Sequence, residues 1–112
     1  MAYETLGKNS MLDHLGTEIT YVGLLDEVDA EITTGVGVYA RKAITWGAAD
    51  AGSMAASNQP VITVPLSTTV SKVILCSAQT AGTTWATADV DNEVFTNEGT
   101  YTITSATLDL NA

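Results

Sequence analysis

Gly35-Val-Gly-Val-Tyr-Ala-Arg-Lys-Ala-Ile-Thr-Trp46 is the longest strand-like run in this chain of 112 residues. Val36, Val38, Ala40, Ile44 and Trp46 share one parity, interrupted only by Lys42, while Gly37, Tyr39, Arg41, Ala43 and Thr45 share the other. Successive side chains of a strand point to opposite faces, so this period of two predicts one face in a core. Tyr39 and Trp46 bring most of the local apolar area from opposite faces. The run is therefore expected to be a central strand covered on both sides.

Strands also dominate the expectation for the rest of the chain. The sequence is rich in Thr, Val, Ile and Ala and poor in the residues that surface long helices. At 46% hydrophobic it lies far from the disordered class. Its length suits one domain with a modest core, and the strand-rich composition makes the chain all-β in expectation. Lys and Arg number 4 against 13 Asp and Glu, a formal net charge of −9. That excess argues against binding nucleic acid or an anionic membrane, both of which reward clustered cations. It suits docking on a basic or mixed-charge protein partner. No apolar run reaches spanning length and no export signal opens the sequence, so synthesis in the cytoplasm is expected.

At the N-terminus, residues 1–10 lack a sustained period but carry Tyr3 and Leu6, which predicts a polar arm with two apolar anchors. A domain over 11–112 follows. Asn9 or Ser10 is expected to cap a short helix over Met11-Leu-Asp-His-Leu15 that Gly16 ends. Ile19-Thr-Tyr-Val-Gly-Leu-Leu25 reads as a buried strand. Asp26, Glu27, Asp29 and Glu31 follow without the register of a calcium loop and read as solvated loop charge.

Residues 47–58 are small, with two glycines, and predict a turn-rich loop. Gln59–Leu66, with Ile62, Val64 and Leu66 on one parity and Pro60 and Pro65 near its ends, predicts an edge strand. Ser71–Ser77 reads as a core strand with Cys76 as a small buried hydrophobe. Ala78–Ala88 reads as a loop carrying Trp85. Asp89, Asp91 and Glu93 alternate as the solvated side of an edge. Residues 93–104 carry a hairpin signal around Asn97-Glu-Gly99, and a parity slip near Ser105 predicts a bulge.

Catalytic signatures are missing. No nucleophile elbow or phosphate-binding glycine loop occurs, and His14, the one histidine, has no acid or nucleophile placed to act with it. One Cys and one His cannot furnish a zinc site. No enzyme, cofactor or metal is expected, and the product of such a domain is a surface.

The order of Met11-Leu-Asp-His-Leu15, Ile19-Thr-Tyr-Val-Gly-Leu24, an acidic gap and Gly37-Val-Tyr-Ala-Arg-Lys-Ala-Ile-Thr-Trp46 resembles a family of small virion proteins of tailed bacteriophages. Members often show a Gly-Gly-Tyr-Ala-Arg-Gln-like motif before an apolar-Thr-aromatic pattern. Val38 here stands at the second glycine, and Lys42 stands at the glutamine. The match covers about the first half of the chain.

The resemblance implies an antiparallel β-sandwich or jelly-roll-like barrel with an extended N-terminal arm and one short N-terminal helix. It further implies capsid decoration: copies on the outside of the phage head, clamping neighbouring subunits of the major capsid protein, commonly as homotrimers. Tyr3, Leu6, Met11, Leu12, Tyr39, Arg41 and Trp85 are the expected partner contacts, aromatics and Arg being favoured at interface hot spots. A tail or fibre component that binds a host glycan through the 78–92 segment is the alternative. A small carbohydrate-active enzyme would need two acids facing across a groove.

Overall fold

A computed structural model describes residues 4–32 and 39–110. Among them the chain is mostly β with one helix, and every strand pairing is antiparallel. The sheets do not close into a barrel. Helix α1 spans Thr5–Glu18, and the strands are β1 Tyr21–Leu25, β2 Lys42–Ala43, β3 Ser53–Ala55, β4 Val61–Val64, β5 Thr68–Cys76, β6 Thr84–Phe95, β7 Gly99–Thr102 and β8 Thr107–Asp109. One sheet has the order β2-β1-β5-β6, and two ribbons pair β3 with β8 and β4 with β7.

The helix is longer than the sequence suggests. It begins at Thr5, with Lys8 N–H donating to Glu4 C=O at 2.9 Å, so residues 5–10 are helical rather than an extended arm. Gly16 does not end it, because there the helix lies against Met54 and Trp46. A Cβ on Gly16 would sit 3.4 Å from Met54 Cε, so contact with neighbours offsets glycine's low helix propensity. Extended backbone at Ile19, whose N–H donates to Leu15 C=O at 2.7 Å, ends the helix instead. Leu12 is its one fully buried anchor.

The 35–46 run is not the central strand. Residues 33–38 lie outside the described residues, and of 39–46 only Lys42 and Ala43 pair in the sheet, at its outer position beside β1. Other partners take the neighbouring backbone. Thr45 N–H donates to Asn58 Oδ1 at 2.9 Å, and Trp46 bridges Ala56. The interior strands are β1 and β5, which is why β1 is buried at its three middle residues. Parity near the end of the run holds, with Ile44 3% exposed.

The 47–58 segment is a hairpin and not an open loop. Asp50 and Ser53 exchange both backbone bonds, at 2.8 and 2.9 Å, around Ala51 and Gly52, which have φ of 52° and 77°. Two consecutive positive φ values give the turn that matches strand twist. β3 then pairs with β8, Met54 opposite Leu108.

The 93–104 hairpin is likewise absent. β6 pairs with β5, while β7 leaves that sheet to pair with β4, setting Tyr101 opposite Ile62. Ile62 and Val64 are fully buried, and β7 sets the Tyr101 ring across from Ile62 and Gly99 across from Val64. Gly99 makes the corner possible: a Cβ there would come within 2.9 Å of the Phe95 ring. The parity slip near Ser105 is a break between β7 and β8, not a bulge. Bulges occur instead in the β5–β6 pairing, between Val70 and Lys72 and between Leu75 and Cys76. β6 itself begins at Thr84, so Trp85 lies on a strand rather than in a loop.

Val22, Leu24, Ile32, Ile44, Ile62, Val64, Val70 and Ile103 form the hydrophobic cluster that joins the sheet to the β4–β7 ribbon. Burial of such side chains contributes roughly 1.5–3 kcal/mol each before entropy is counted. The molecule is elongated, 47 × 23 × 21 Å.

Candidate partner-binding surface

Where β1 ends, Asp26 reverses the chain. Its Oδ1 accepts the N–H groups of Val28 and Ala30 at 2.9 and 3.0 Å, and Glu31 returns to bridge Leu25. This reversal separates Glu31 from the other acids of the cluster. Glu31 Oε1 takes Arg41 Nη2 at 2.7 Å and Oε2 takes Arg41 Nε at 2.7 Å, a two-pronged pair. Tyr39 Oη donates to Oε2 at 2.7 Å and accepts Leu24 N–H at 3.0 Å. Arg41 Nη1 then donates to the carbonyls of Ala78 and Ala81, at 3.0 and 2.8 Å. Ala81 has φ of 54°, a left-handed conformation followed by Gly82 at 69°.

The cluster lies over Gly23. A Cβ on Gly23 would stand 2.7 Å from Tyr39 Oη and 3.0 Å from Glu31 Oε2, so glycine is what lets these side chains reach the sheet. The Arg41 hydrogen bond holds the Glu31 carboxyl below its usual range against the opposing effect of burial, with help from Tyr39. Burial, then Glu31, pushes the Tyr39 hydroxyl well up. Burial also pushes up the thiol of Cys76, which is fully buried. Arg41 is 9% exposed and has all these internal partners, so its guanidinium holds the protein's own loops together. That differs from an outward contact role for Tyr39 and Arg41.

The other expected contacts fall in different places. Tyr3 lies outside the described residues. Leu6 is 83% exposed on the first turn of α1, Met11 is half-buried, and Leu12 is fully buried beneath the helix, where no partner can reach it. Trp85 is 46% exposed on β6. Leu6 and Trp85 thus remain as outward-facing apolar groups. His14 is exposed, with Glu18 3.9 Å away on the next turn.

Sequence reasoning also missed a groove. An open groove of about 380 Å³ runs between β5–β6 and residues 101–108. Leu75, Ala88 and Val90 line one side, and Tyr101, Ile103 and Leu108 line the other. β6 is the end strand of its sheet, so one of its edges has no strand beside it among the described residues. Asp89 lies 3.8 Å from Lys72, which also pairs with Asp29. Asp91 follows the groove residue Val90 along β6 and Glu93 stands opposite Val70, and the Tyr101 hydroxyl is raised by burial first and then by the charges of these two acids. Among the described residues no three of His, Cys, Asp or Glu converge as a metal cluster, and no helix is long and apolar enough to cross a membrane. No family model matches the sequence, no curated protein matches it, and no solved structure matches the fold.

Proposed function

We propose that this chain is a structural virion protein that decorates the outside of a tailed-phage head, with a β-sandwich-like body, and strengthens contacts between major capsid subunits. The observation that supports the reading is the meeting of the two stretches that carry the family resemblance. Gly23, from Ile19-Thr-Tyr-Val-Gly-Leu24, makes the space that Tyr39 and Arg41 of the Tyr-Ala-Arg stretch occupy. Residue types that look independent in the sequence thus form one structural unit, as expected of a shared family scaffold. An acidic, elongated β body with exposed Leu6 and Trp85 also suits a protein that adds contact area to a lattice. Weak contacts repeated over many sites act together there. Self-association as a trimer belongs to the same reading.

The test is the copy number of this protein in purified particles from its source, relative to the major shell protein. A number close to that of the shell subunits is the expected result. A few copies per particle would point to a tail or fibre component, and absence from the particles would overturn the virion reading.

A further inference from the structure

The groove beside β6 combines three features. Its walls are aliphatic and small, with Leu75, Ala88 and Val90 on one side and Ile103 and Leu108 on the other. One of its walls includes β6, a twelve-residue strand at the end of its sheet. Asp91 and Glu93 lie on β6 just past the groove residue Val90 and have no cation within ion-pair distance among the described residues. An edge strand offers unpaired N–H and C=O groups, and an added strand sends alternate side chains to one face.

A second copy is a poor occupant. Pairing β6 with another β6 would gather Asp89, Asp91 and Glu93 of both chains, and like charges opposite one another destabilise a sheet. The net charge of −9 acts in the same direction. A cationic chain fits where an identical one does not.

We propose that the groove and the β6 edge take an extended segment of a protein partner, its aliphatic side chains seated in the groove and a lysine or arginine set against Asp91 and Glu93. Twelve residues of strand provide roughly 40 Å of edge, ample for a segment of seven. As the place where a shell subunit is held, this surface rests on the decoration reading; as a binding surface it stands by itself.

Two synthetic seven-residue peptides added to the full chain test it. Both alternate valine and threonine in the middle; one carries lysine at its ends and the other glutamate. The lysine peptide is expected to give saturable amide shifts confined to residues 86–93 and 101–108, at least tenfold tighter than the glutamate peptide. The double variant Asp91→Asn/Glu93→Gln, with both changes on exposed side chains, is expected to weaken the lysine peptide at least fivefold with an unchanged melting temperature. No saturable shift at β6, equal binding of both peptides, or an equilibrium dimer that buries the groove would each overturn the proposal. Peptide binding by a protein absent from particles would leave the surface standing and remove the virion role. Shell-level copy number without peptide binding would do the reverse.

Discussion

Arg41 is the residue on which the most structure depends. It ties Glu31, after the first chain reversal, to the turn that follows β5, and Gly23 keeps the space beneath clear. Arg41→Lys is expected to cost about 2–4 kcal/mol in urea unfolding, at the lower part of the range for a broken buried pair because Glu31 keeps some solvent contact. Lysine has one nitrogen and cannot hold a carboxylate and two carbonyls in a fixed fork. A loss under about 0.5 kcal/mol, the scatter of ordinary surface changes, would show that the cluster is incidental. The same cluster sets a pH dependence. Glu31 has a folded value below its unfolded one, so its contribution is complete above the ordinary glutamate range near ~4.3 and disappears as pH falls through the lowered value. Tyr39 is shifted the other way, so its contribution is complete below about 10 and disappears as pH rises toward the raised value. Unfolding midpoints recorded against pH should fall at both ends, and Glu31→Gln should flatten the acid side. The sequence placed Tyr39 and Arg41 together on the face opposite Ile44. It could not show that their partner is internal, because four nearby acids look equivalent until the Asp26 turn singles out Glu31.

At the scale of elements, the strands around 19–25, 61–66 and 71–77 were legible because their apolar residues alternate or run together. What failed was partner choice. The Asn97-Glu-Gly99 turn reads as a hairpin locally, yet β7 is drawn to the buried Ile62 and Val64 of β4, and a tertiary demand overrides a local signal. The groove was illegible for the same reason, since its two walls come from strands that do not pair with each other. Helix α1 shows little sequence period, and besides the buried Leu12 its fixed points are polar: Asn9 Oδ1 accepts Gly52 N–H at 2.9 Å and Asp13 Oδ1 accepts Ala49 N–H at 3.2 Å. Removing residues 1–7 should therefore leave the melting transition unchanged, whereas removing 1–10 takes Asn9 and should cost about 1–2 kcal/mol. Equal effects of the two deletions would contradict that assignment. Ile44→Ala should cost on the order of 2–4 kcal/mol as a truncation in the core. A cost near zero would mean that Ile44 contributes little to the cluster.

At the scale of the whole molecule, the predominance of strands was legible from composition, and the fourteen-residue helix and the elongated shape were not. The radius of gyration is 14.9 Å, above the roughly 13 Å of a compact domain of this length, because the long β5–β6 pair carries the chain along one axis. Connectivity was hidden as well. The turn at Ala51–Gly52 receives Asn9 from the helix near one end of the sequence, and β3 beside it receives β8 from the other. This convergence orders events in time. β5 and β6 meet across a short turn and can form as soon as both exist, whereas β3 must wait for a partner more than fifty residues downstream. On a ribosome, Met54 could meet the helix at Gly16 early but would lack its strand partner until β8 had emerged. In stopped-flow refolding, Val73→Ala should mainly slow folding and Met54→Ala should mainly hasten unfolding. The reverse pattern would mean that the two ends of the sequence find each other first. With the expected pattern, β8 docks late, and its arrival completes a structure that β5 and β6 have begun.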